Sequence, residues 1–193
     1  MGLAVALGFM DQGGRAVLVD IKSEPEALRA HAGRYRYVTA DISDEGQVQG
    51  AVAEAESRFG RLDYLVNVAG VLWFDRDRSV LDMDFDVWDQ VFAINLKAMA
   101  FTIRHAVPLM RRAGGGAMVH FSTVQCLRGD PAPQDAYSTS KAGVAALSRS
   151  AAIQFAGDGI RSNTIFPGVA LTPMQARWDG DTEIQEAIAA HIP

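Results

Sequence analysis

The run LDYLVNVAG at residues 62–70 decides which fold this chain adopts. It is short and apolar, carries β-branched residues and ends on small ones, as strands buried on both faces of a parallel sheet do. A helical pattern ends before it at Gly60, and a longer one begins after it at Asp84 or Asp86. We therefore predict a strand between two helices, the repeating unit of α/β folds.

The same alternation continues in both directions along the chain. Short β-branched runs predict further strands at residues 15–20, 35–40, 117–123 and 160–168. Apolar residues with helical spacing predict helices at residues 2–12, 43–60 (with Ser43 as the N-cap), 84–110, 137–155 and 183–193. The expected fold class is α/β: a doubly wound, Rossmann-like parallel sheet in three α/β/α layers, forming one domain over residues 1–193.

Composition and charge exclude several classes of function. The formal net charge of −5 and the pI of about 5.3 disfavour nucleic acid and anionic membranes as partners. The apolar opening MGLAVALGFM is too short to span a bilayer, and no signal peptide is predicted. Cys126 is the only cysteine, which is typical of a reducing compartment. We expect a cytoplasmic protein, and the sequence predicts no metal site.

An acidic residue stands at or just after the end of each of the first two predicted strands. Asp20 closes residues 15–20, where a carboxylate of a doubly wound fold can accept hydrogen bonds from the adenosine ribose. Such a carboxylate repels a 2′-phosphate, so it favours NAD over NADP. Asp41 follows the next strand, and two interpretations stay open for it: adenine contact, or an N-terminal cap for the helix at Ser43.

Tyr137 and Lys141 stand four residues apart where a long helix begins, so their side chains share one helix face. A nearby ammonium stabilises phenolate and lowers the tyrosine pKa from about 10 towards neutrality, as general acid–base catalysis requires. A surface pair is the alternative interpretation.

Further polar candidates lie at a strand end and inside a helix. Ser122 and Thr123 close the strand at 117–123, at the edge where parallel sheets present ligands. Because neighbouring strand residues point to opposite faces, only one of these two hydroxyls can serve a site. Asn95 lies among apolar neighbours of a long helix, an unfavourable position for asparagine.

Together these residues resemble the short-chain dehydrogenase/reductases, and the resemblance covers nearly all of the chain. The matching pieces occur in the family's order: Gly2, Asp20, Asp41, NVAG at 67–70, Asn95, a strand-end hydroxyl, Tyr137-x-x-x-Lys141 and PGVALT at 167–172.

The resemblance implies a role for each catalytic candidate. Tyr137 would exchange a proton with the substrate oxygen, and Lys141 would hold the nicotinamide ribose and depress the tyrosine pKa. Asn95 would anchor a water of the proton relay, and Thr123 or Ser122 would orient the substrate.

The resemblance also implies the contacts of the cofactor. Thr172 and the backbone at Val169 would hold the nicotinamide carboxamide. The other NAD-binding positions that it implies are Gly2, Asp20, Asp41, Ile42, Asn67, Ala69, Gly70, Tyr137, Lys141, Pro167 and Gly168.

Three departures from the family pattern stand out. Thr123 occupies the usual serine position, fourteen rather than thirteen residues before Tyr137, and Val68 replaces an asparagine. Of the glycine-rich turn T-G-x-x-x-G-x-G only Gly2 remains, and a first strand and a last strand are both lacking. The resemblance therefore predicts a fragment, incomplete at both ends, with unpaired sheet edges.

The predicted function is an NAD-dependent oxidoreductase that moves hydride between nicotinamide and a small-molecule secondary alcohol or ketone. A catalytically silent nucleotide-binding or assembly module is the alternative, and a flavodoxin-like signalling domain leaves Tyr137 and Lys141 unexplained. The stretches at 67–72 and 167–175 resemble dihydrodiol dehydrogenases, but sugar-alcohol and 3-oxoacyl reductases share that framework. Apolar helices around 92–110 and 137–155 predict a homo-oligomer, either a dimer or a tetramer.

Overall fold

The computed structural model of the protein describes residues 1–170, 172–178 and 180–190. The strands are β1 (Ala16–Asp20), β2 (Tyr35–Thr39), β3 (Tyr64–Asn67), β4 (Gly116–Phe121) and β5 (Ile160–Ile165). The α-helices are α1 (Gly2–Asp11), α2 (Glu45–Phe59), α3 (Phe85–Phe92), α4 (Ala98–Ala113), α5 (Gln125–Arg128), α6 (Asp135–Gln154) and α7 (Thr182–Ala189). Shorter helical turns cover Glu26–His31, Ala93–Lys97, Ala156–Asp158 and Pro173–Trp178.

All strand pairs are parallel, as the sequence predicts, but they form two separate sheets. β1 pairs with β2, and a second sheet has the order β3-β4-β5. Among the described residues no ladder joins β1 to β3, so each sheet presents an unpaired edge towards the middle of the fold. The α/β prediction is confirmed, and the divided sheet agrees with the expected unpaired edges.

Helices cover both faces of the larger sheet, which is the doubly wound arrangement. Tyr64 and Leu65 are neighbours in β3 and therefore point to opposite faces. Leu65 packs on the cluster formed by α4, α6, β4 and β5, while the Tyr64 ring contacts Phe9 of α1 at 5.4 Å between centroids. The sheet thus lies between α1 on one side and α4 with α6 on the other.

The main core lies between α4, α6 and the strands β4 and β5. Met110 and Met118 are fully buried in it, and Ile160 and Val144 pack beside them. Fully burying an aliphatic side chain of this size stabilises a fold by roughly 1.5–3 kcal/mol, so this cluster fixes α6 against the sheet. The position of Tyr137 at the start of α6 follows from that packing.

Several predicted boundaries are wrong. Asp44, not Ser43, caps α2, since its carboxylate accepts the Gln47 backbone N–H at 3.0 Å. Strands β3, β4 and β5 end two or three residues before the predicted limits, although beyond β4 the N–H groups of Ser122 and Val124 still bond the carbonyls of Ile165 and Pro167. The final residues of the helix predicted at 183–193 lie outside the described part of the chain, where α7 ends at Ala189.

The helix predicted at 84–110 is a continuous helical run from Phe85 to Ala113, but its middle is a π-turn over Ala93–Lys97. Such a turn inserts an extra residue into the helix and is frequent at functional sites. It explains how Asn95 can lie within a helix and still direct its amide towards the end of β3.

Within the described residues, no helix is both long and apolar enough to cross a bilayer.

Candidate active site

The site forms where α6 begins, beside the carboxyl ends of β3 and β4. Tyr137 and Lys141 lie in the first turns of α6 and are both buried, with 7% and 4% of their surface exposed. The interpretation of the two residues as an exposed surface pair is therefore wrong. Their burial follows from α6 packing its apolar face on the sheet.

Of the two candidate hydroxyls, Thr123 is the one that acts on the tyrosine, because its side chain lowers the pKa of the Tyr137 phenol. Its Oγ1 also accepts the Gln125 backbone N–H at 3.3 Å. The Ser122 hydroxyl instead donates to the Lys141 carbonyl at 2.7 Å and lies 3.4 Å from the Cys126 sulfur. The alternation expected from the sequence thus directs Thr123 to the tyrosine and Ser122 to the helix backbone.

Lys141 extends to the end of β4, where its Nζ donates to the Phe121 carbonyl at 2.9 Å. Burial lowers the pKa of this amine to about 8. Gly70 leaves the room that the amine needs: a Cβ there would lie 2.9 Å from Lys141 Nζ and 3.1 Å from Asn95 Oδ1. The small residue after β3 is therefore a steric requirement of the site.

Asn95 joins the loop after β3 to α6. Its Oδ1 accepts the Val71 N–H at 2.8 Å, and its Nδ2 donates to the Val71 carbonyl at 3.0 Å and to the Ser140 hydroxyl at 3.1 Å. Ser140 in turn donates to the Tyr137 carbonyl at 2.8 Å. The predicted asparagine is therefore buried and fully engaged, and it reaches the backbone of the tyrosine through one hydroxyl.

The expected fall in the pKa of Tyr137 is not found. Burial raises the pKa of this phenol above its ordinary value, the hydrogen bond with Thr123 lowers it, and Cys126 nearby raises it, so the net direction is upward. The prediction fails because the Lys141 amine is directed at the Phe121 carbonyl. The phenol is thus held in its protonated form.

The predicted adenosine contacts lie apart from this site, beside the smaller sheet. Asp20 is exposed and accepts the Lys22 backbone N–H at 3.0 Å. Asp41 is exposed and binds the backbone N–H and the hydroxyl of Ser43 at 2.8 and 2.7 Å, while Ile42 is half-buried. Both carboxylates therefore make only local bonds and keep oxygen atoms open to solvent.

The cofactor contacts predicted at the start of α1 and around the end of β3 differ in their surroundings. Gly2 lies at the start of α1, where an added Cβ would be 3.9 Å from Val68. Ala69, which follows Val68 in the chain, is exposed. Asn67 turns the other way: its Nδ2 contacts Thr102 Oγ1 at 2.8 Å and His120 Nδ1 at 3.1 Å. The Asn67 side chain is therefore engaged with side chains of α4 and β4.

The predicted nicotinamide contacts follow β5. The Pro167 carbonyl accepts the Val124 N–H at 3.1 Å, which holds this segment beside the residues that follow β4. Gly168 and Val169 are exposed, and Thr172 is half-buried with its carbonyl bonded to Gln175 N.

Three buried polar residues near the site were not predicted. Asp77 bonds the first turn of α6, Ser140 bridges Asn95 to Tyr137, and His120 lies under Asn67. Ser140 could have been found, since it lies one helical turn after Tyr137. Asp77 and His120 stand in stretches without a pattern that distinguishes them from their neighbours.

Comparison with known proteins finds similarity to named dehydrogenases and reductases. The chain matches the family described as enoyl-(acyl carrier protein) reductase over residues 1–193. The 2-(R)-hydroxypropyl-CoM dehydrogenase of Xanthobacter autotrophicus is 35% identical over 199 residues, covering 100% of this chain and 79% of that protein. The cis-4-hydroxycyclohexanecarboxylate dehydrogenase of Sinomonas cyclohexanicum is 34% identical over 197 residues, covering 100% and 77%. The crystal structure of levodione reductase superimposes with a TM-score of 0.85 at 31% identity, over 96% of this chain and 74% of that one.

Parallel sheets flanked by helices, together with these relatives, define a Rossmann-like oxidoreductase. The chain belongs to the short-chain dehydrogenase/reductase family, whose members use nicotinamide cofactors. It spans about three quarters of the length of the relatives named above.

Proposed function

We propose that the protein is an NAD-dependent dehydrogenase of small secondary alcohols, or the corresponding ketone reductase, with Tyr137 as its acid–base residue. The observation that carries this proposal is that Tyr137, Thr123 and Lys141 are buried together, with Thr123 close enough to lower the tyrosine pKa and the Lys141 amine bonded to the Phe121 carbonyl. Two relatives whose names specify hydroxylated substrates support the same reaction class.

The residues present fit a nicotinamide cofactor. The absence of a side chain at Gly70 lets the Lys141 amine lie at the end of β3, since an added Cβ would be 2.9 Å from Lys141 Nζ, and an amine there can donate to the hydroxyls of a ribose. Lys141 would hold the nicotinamide ribose, and the segment from Pro167 to Thr172 would hold the carboxamide. The bound cofactor would supply the acceptor or donor of hydride.

The remaining chemistry belongs to the chain's own side chains. Thr123 lies close enough to the Tyr137 phenol to lower its pKa, and the two hydroxyls would both contact one substrate oxygen, so the alcohol would be oriented before its proton leaves. Because burial keeps the Tyr137 phenol protonated, it is set up to donate a proton to a ketone oxygen. Oxidation of an alcohol requires the reverse transfer, for which a cation near the phenol must lower its pKa.

Asp20 supports the choice of NAD. Its carboxylate is exposed at the end of β1 and has one local partner, so it is open to ribose hydroxyls and would repel a 2′-phosphate. Asp41 and Ile42 would complete the adenosine contacts.

An alcohol-panel assay tests the proposed function. Purified protein is mixed with NAD and a series of secondary alcohols, including hydroxyalkyl thioethers and hydroxycyclohexane carboxylates, and reduction is followed by absorbance. Tyr137→Phe should lower kcat by about 10²–10⁴, the usual worth of a positioned acid–base group. Tyr64→Phe is the matched control, since that ring is exposed on β3, and it should keep wild-type rates. Undiminished turnover in Tyr137→Phe would overturn the mechanism.

The alternative function is a catalytically silent nucleotide-binding or assembly module. The separation of β1-β2 from β3-β4-β5 favours it, because nothing among the described residues links the two sheets by a strand ladder. Calorimetric binding of NAD without turnover of any alcohol in the panel would support this alternative.

A homo-oligomer also fits the surface. On α6 the side chains of Ala142, Ala146 and Ile153 form an exposed stripe, and 82% of Ile153 is accessible. Beside it lies a hollow of about 700 Å³ whose apolar walls include Phe92, Leu96 and Leu147. A symmetric dimer or tetramer would bury both features, and light scattering of the purified protein would measure it.

A further inference from the structure

Asp77 lies in the loop between β3 and α3, far in sequence from the candidate site residues of α6. Its side chain is 1% exposed, yet it contacts the catalytic helix directly. One carboxylate oxygen accepts the Ala136 backbone N–H at 3.0 Å, and the other accepts the N–H of Tyr137 itself at 2.8 Å. The carboxylate thus bonds two of the N–H groups that the start of a helix leaves without helical partners.

Tyr137 is therefore held at both of its backbone groups by side chains, one from the loop after β3 and one from α6 itself. Asp77 holds the N–H, and Ser140 donates to the carbonyl while Asn95 holds Ser140. Asn95 is anchored on Val71, which belongs to the same loop as Asp77. The loop after β3 is thus linked to the Tyr137 N–H directly through Asp77, and to the Tyr137 carbonyl indirectly through Asn95 and Ser140.

The loop and α6 also exchange a second carboxylate contact. Asp135 accepts the Val80 backbone N–H at 2.8 Å, so each segment caps an N–H of the other. The two contacts differ in what they hold: Asp135 fixes only the loop, whereas Asp77 fixes the backbone of the tyrosine.

We infer that Asp77 is a positioning residue of Tyr137, which sets the placement of the phenol relative to Thr123 by capping the start of α6. The inference rests on the proposed function, in which Tyr137 transfers the proton. A buried carboxylate in an apolar setting is costly unless it is bonded, so its presence here requires a role that an apolar residue could not fill. Capping the helix is such a role, since both Asp77 carboxylate oxygens accept backbone N–H groups from the first turn of α6.

The placement matters because the nearby Thr123 side chain lowers the pKa of the phenol against the effect of burial. If α6 loses its cap, its first turn frays and the phenol moves away from Thr123. Proton transfer is sensitive to displacements of this size, since a misplacement of about 1 Å can cost on the order of 10²-fold in rate.

The test compares Asp77→Ala, Asp77→Asn and Asp135→Ala in the full chain. Asp77→Ala should lower kcat by about 10- to 100-fold while the KM for NAD changes less than about twofold. Asp77→Asn keeps one acceptor oxygen and should fall between wild type and Asp77→Ala, which is rescue by the conservative variant. Asp135→Ala releases the loop but not the tyrosine, and it should keep kcat near the wild-type value.

The kinetic pH profile gives a second readout. Asp77→Ala should move the inflection assigned to the Tyr137 phenol to higher pH, because the phenol would move away from the Thr123 side chain, which lowers its pKa. Equal losses of kcat in Asp77→Ala and Asp135→Ala would show that the carboxylates only anchor the loop, and would overturn the inference.

Amide hydrogen exchange separates this inference from the proposed function. The N–H groups of Ala136 and Tyr137 should exchange faster in Asp77→Ala and Asp77→Asn, and at the wild-type rate in Asp135→Ala, whether or not any alcohol is oxidised. Unchanged exchange at these two amides in a folded Asp77→Asn protein would overturn the cap even if Tyr137→Phe confirms the mechanism. Changed exchange with an inactive wild-type protein would instead sink the proposed function alone.

Discussion

The two sheets carry candidate residues of opposite character. Around β3-β4-β5 they are buried and bonded across long sequence distances, as Asn95 is to Val71 and Ser140. Beside β1-β2, the side chains of Asp20 and Asp41 are exposed, and their carboxylates bond only to residues two positions away. Proton transfer needs fixed geometry, whereas recognition of a nucleotide ribose needs an accessible acceptor. On the proposed function, the half around β3-β4-β5 would carry out the chemical step, and the exposed carboxylates beside β1-β2 would bind the nucleotide.

The largest effect expected from this difference is a loss of folding stability at acid pH, caused by a buried residue of β4. His120 is fully buried on β4, and burial lowers its pKa from 6.5 to about 4. Below pH 6.5 the unfolded chain takes up a proton that the folded chain refuses, so stability is lost as the pH falls from about 6.5 to about 4. The loss should approach about 3 kcal/mol in the free energy of unfolding.

Urea titrations between pH 7 and pH 4 would measure this loss. His120→Asn should flatten the decline across that range, because an amide does not titrate. His105→Asn, at a partly exposed position beside Glu45 on the α2–α4 surface, is the control and should leave the acid loss in place. An equal slope in His120→Asn and wild type would contradict the assignment.

His120 also marks where sequence reasoning ends. Its Nε2 and the neighbouring Thr164 Oγ1 are buried polar atoms without a partner among the described residues. The strand pattern predicts that residue 120 lies in a parallel strand, but not which face it points to or that Asn67 approaches its ring. Burial of a polar side chain depends on what packs over it, and that is a property of the assembled sheet.

The arrangement of the candidate catalytic residues was largely predictable from the sequence. Helical spacing brings Tyr137 and Lys141 to one face, and strand alternation allows only one of Ser122 and Thr123 to reach them. What the sequence could not provide is the direction of the Lys141 amine, which bonds the Phe121 carbonyl and leaves the phenol pKa raised. It also could not provide Asp77, whose contact spans 60 residues.

A smaller effect would break the buried half without unfolding it. Gly70→Ala places a methyl group 2.9 Å from Lys141 Nζ, and the flexible end of that side chain can move aside at little cost to stability. The amine would then leave the Phe121 carbonyl and the space beside Gly70. We expect kcat to fall by about 10²-fold, as for other displacements of about 1 Å at a reacting centre.

The matched control for this change is Gly50→Ala, in the middle of α2, where an added Cβ meets nothing within 4 Å. That substitution should keep wild-type turnover and raise the free energy of unfolding by roughly 0.5–1 kcal/mol, since alanine favours helix interiors. Wild-type kcat in Gly70→Ala, measured with saturating NAD, would show that the close approach to Lys141 has no catalytic role.

The smallest effect is expected in the exposed half, at Asp20. The Asp20 carboxylate and a 2′-phosphate are both negative, and two unit charges in water repel each other only weakly. Replacing this solvated carboxylate should therefore change the preference for NAD over NADP by only about five- to tenfold. Asp20→Ala should raise the KM for NAD and lower the KM for NADP, narrowing the ratio between them, and added salt should reduce the difference because it screens exposed charges. Asp82→Ala removes another exposed carboxylate, in the loop before α3, and should leave the ratio unchanged. A wild-type protein that already prefers NADP would contradict the assignment of Asp20. A shift far above tenfold would mean that this carboxylate meets the cofactor in a buried setting like that of Tyr137. The two halves of the molecule would then differ less than the exposure of their side chains suggests.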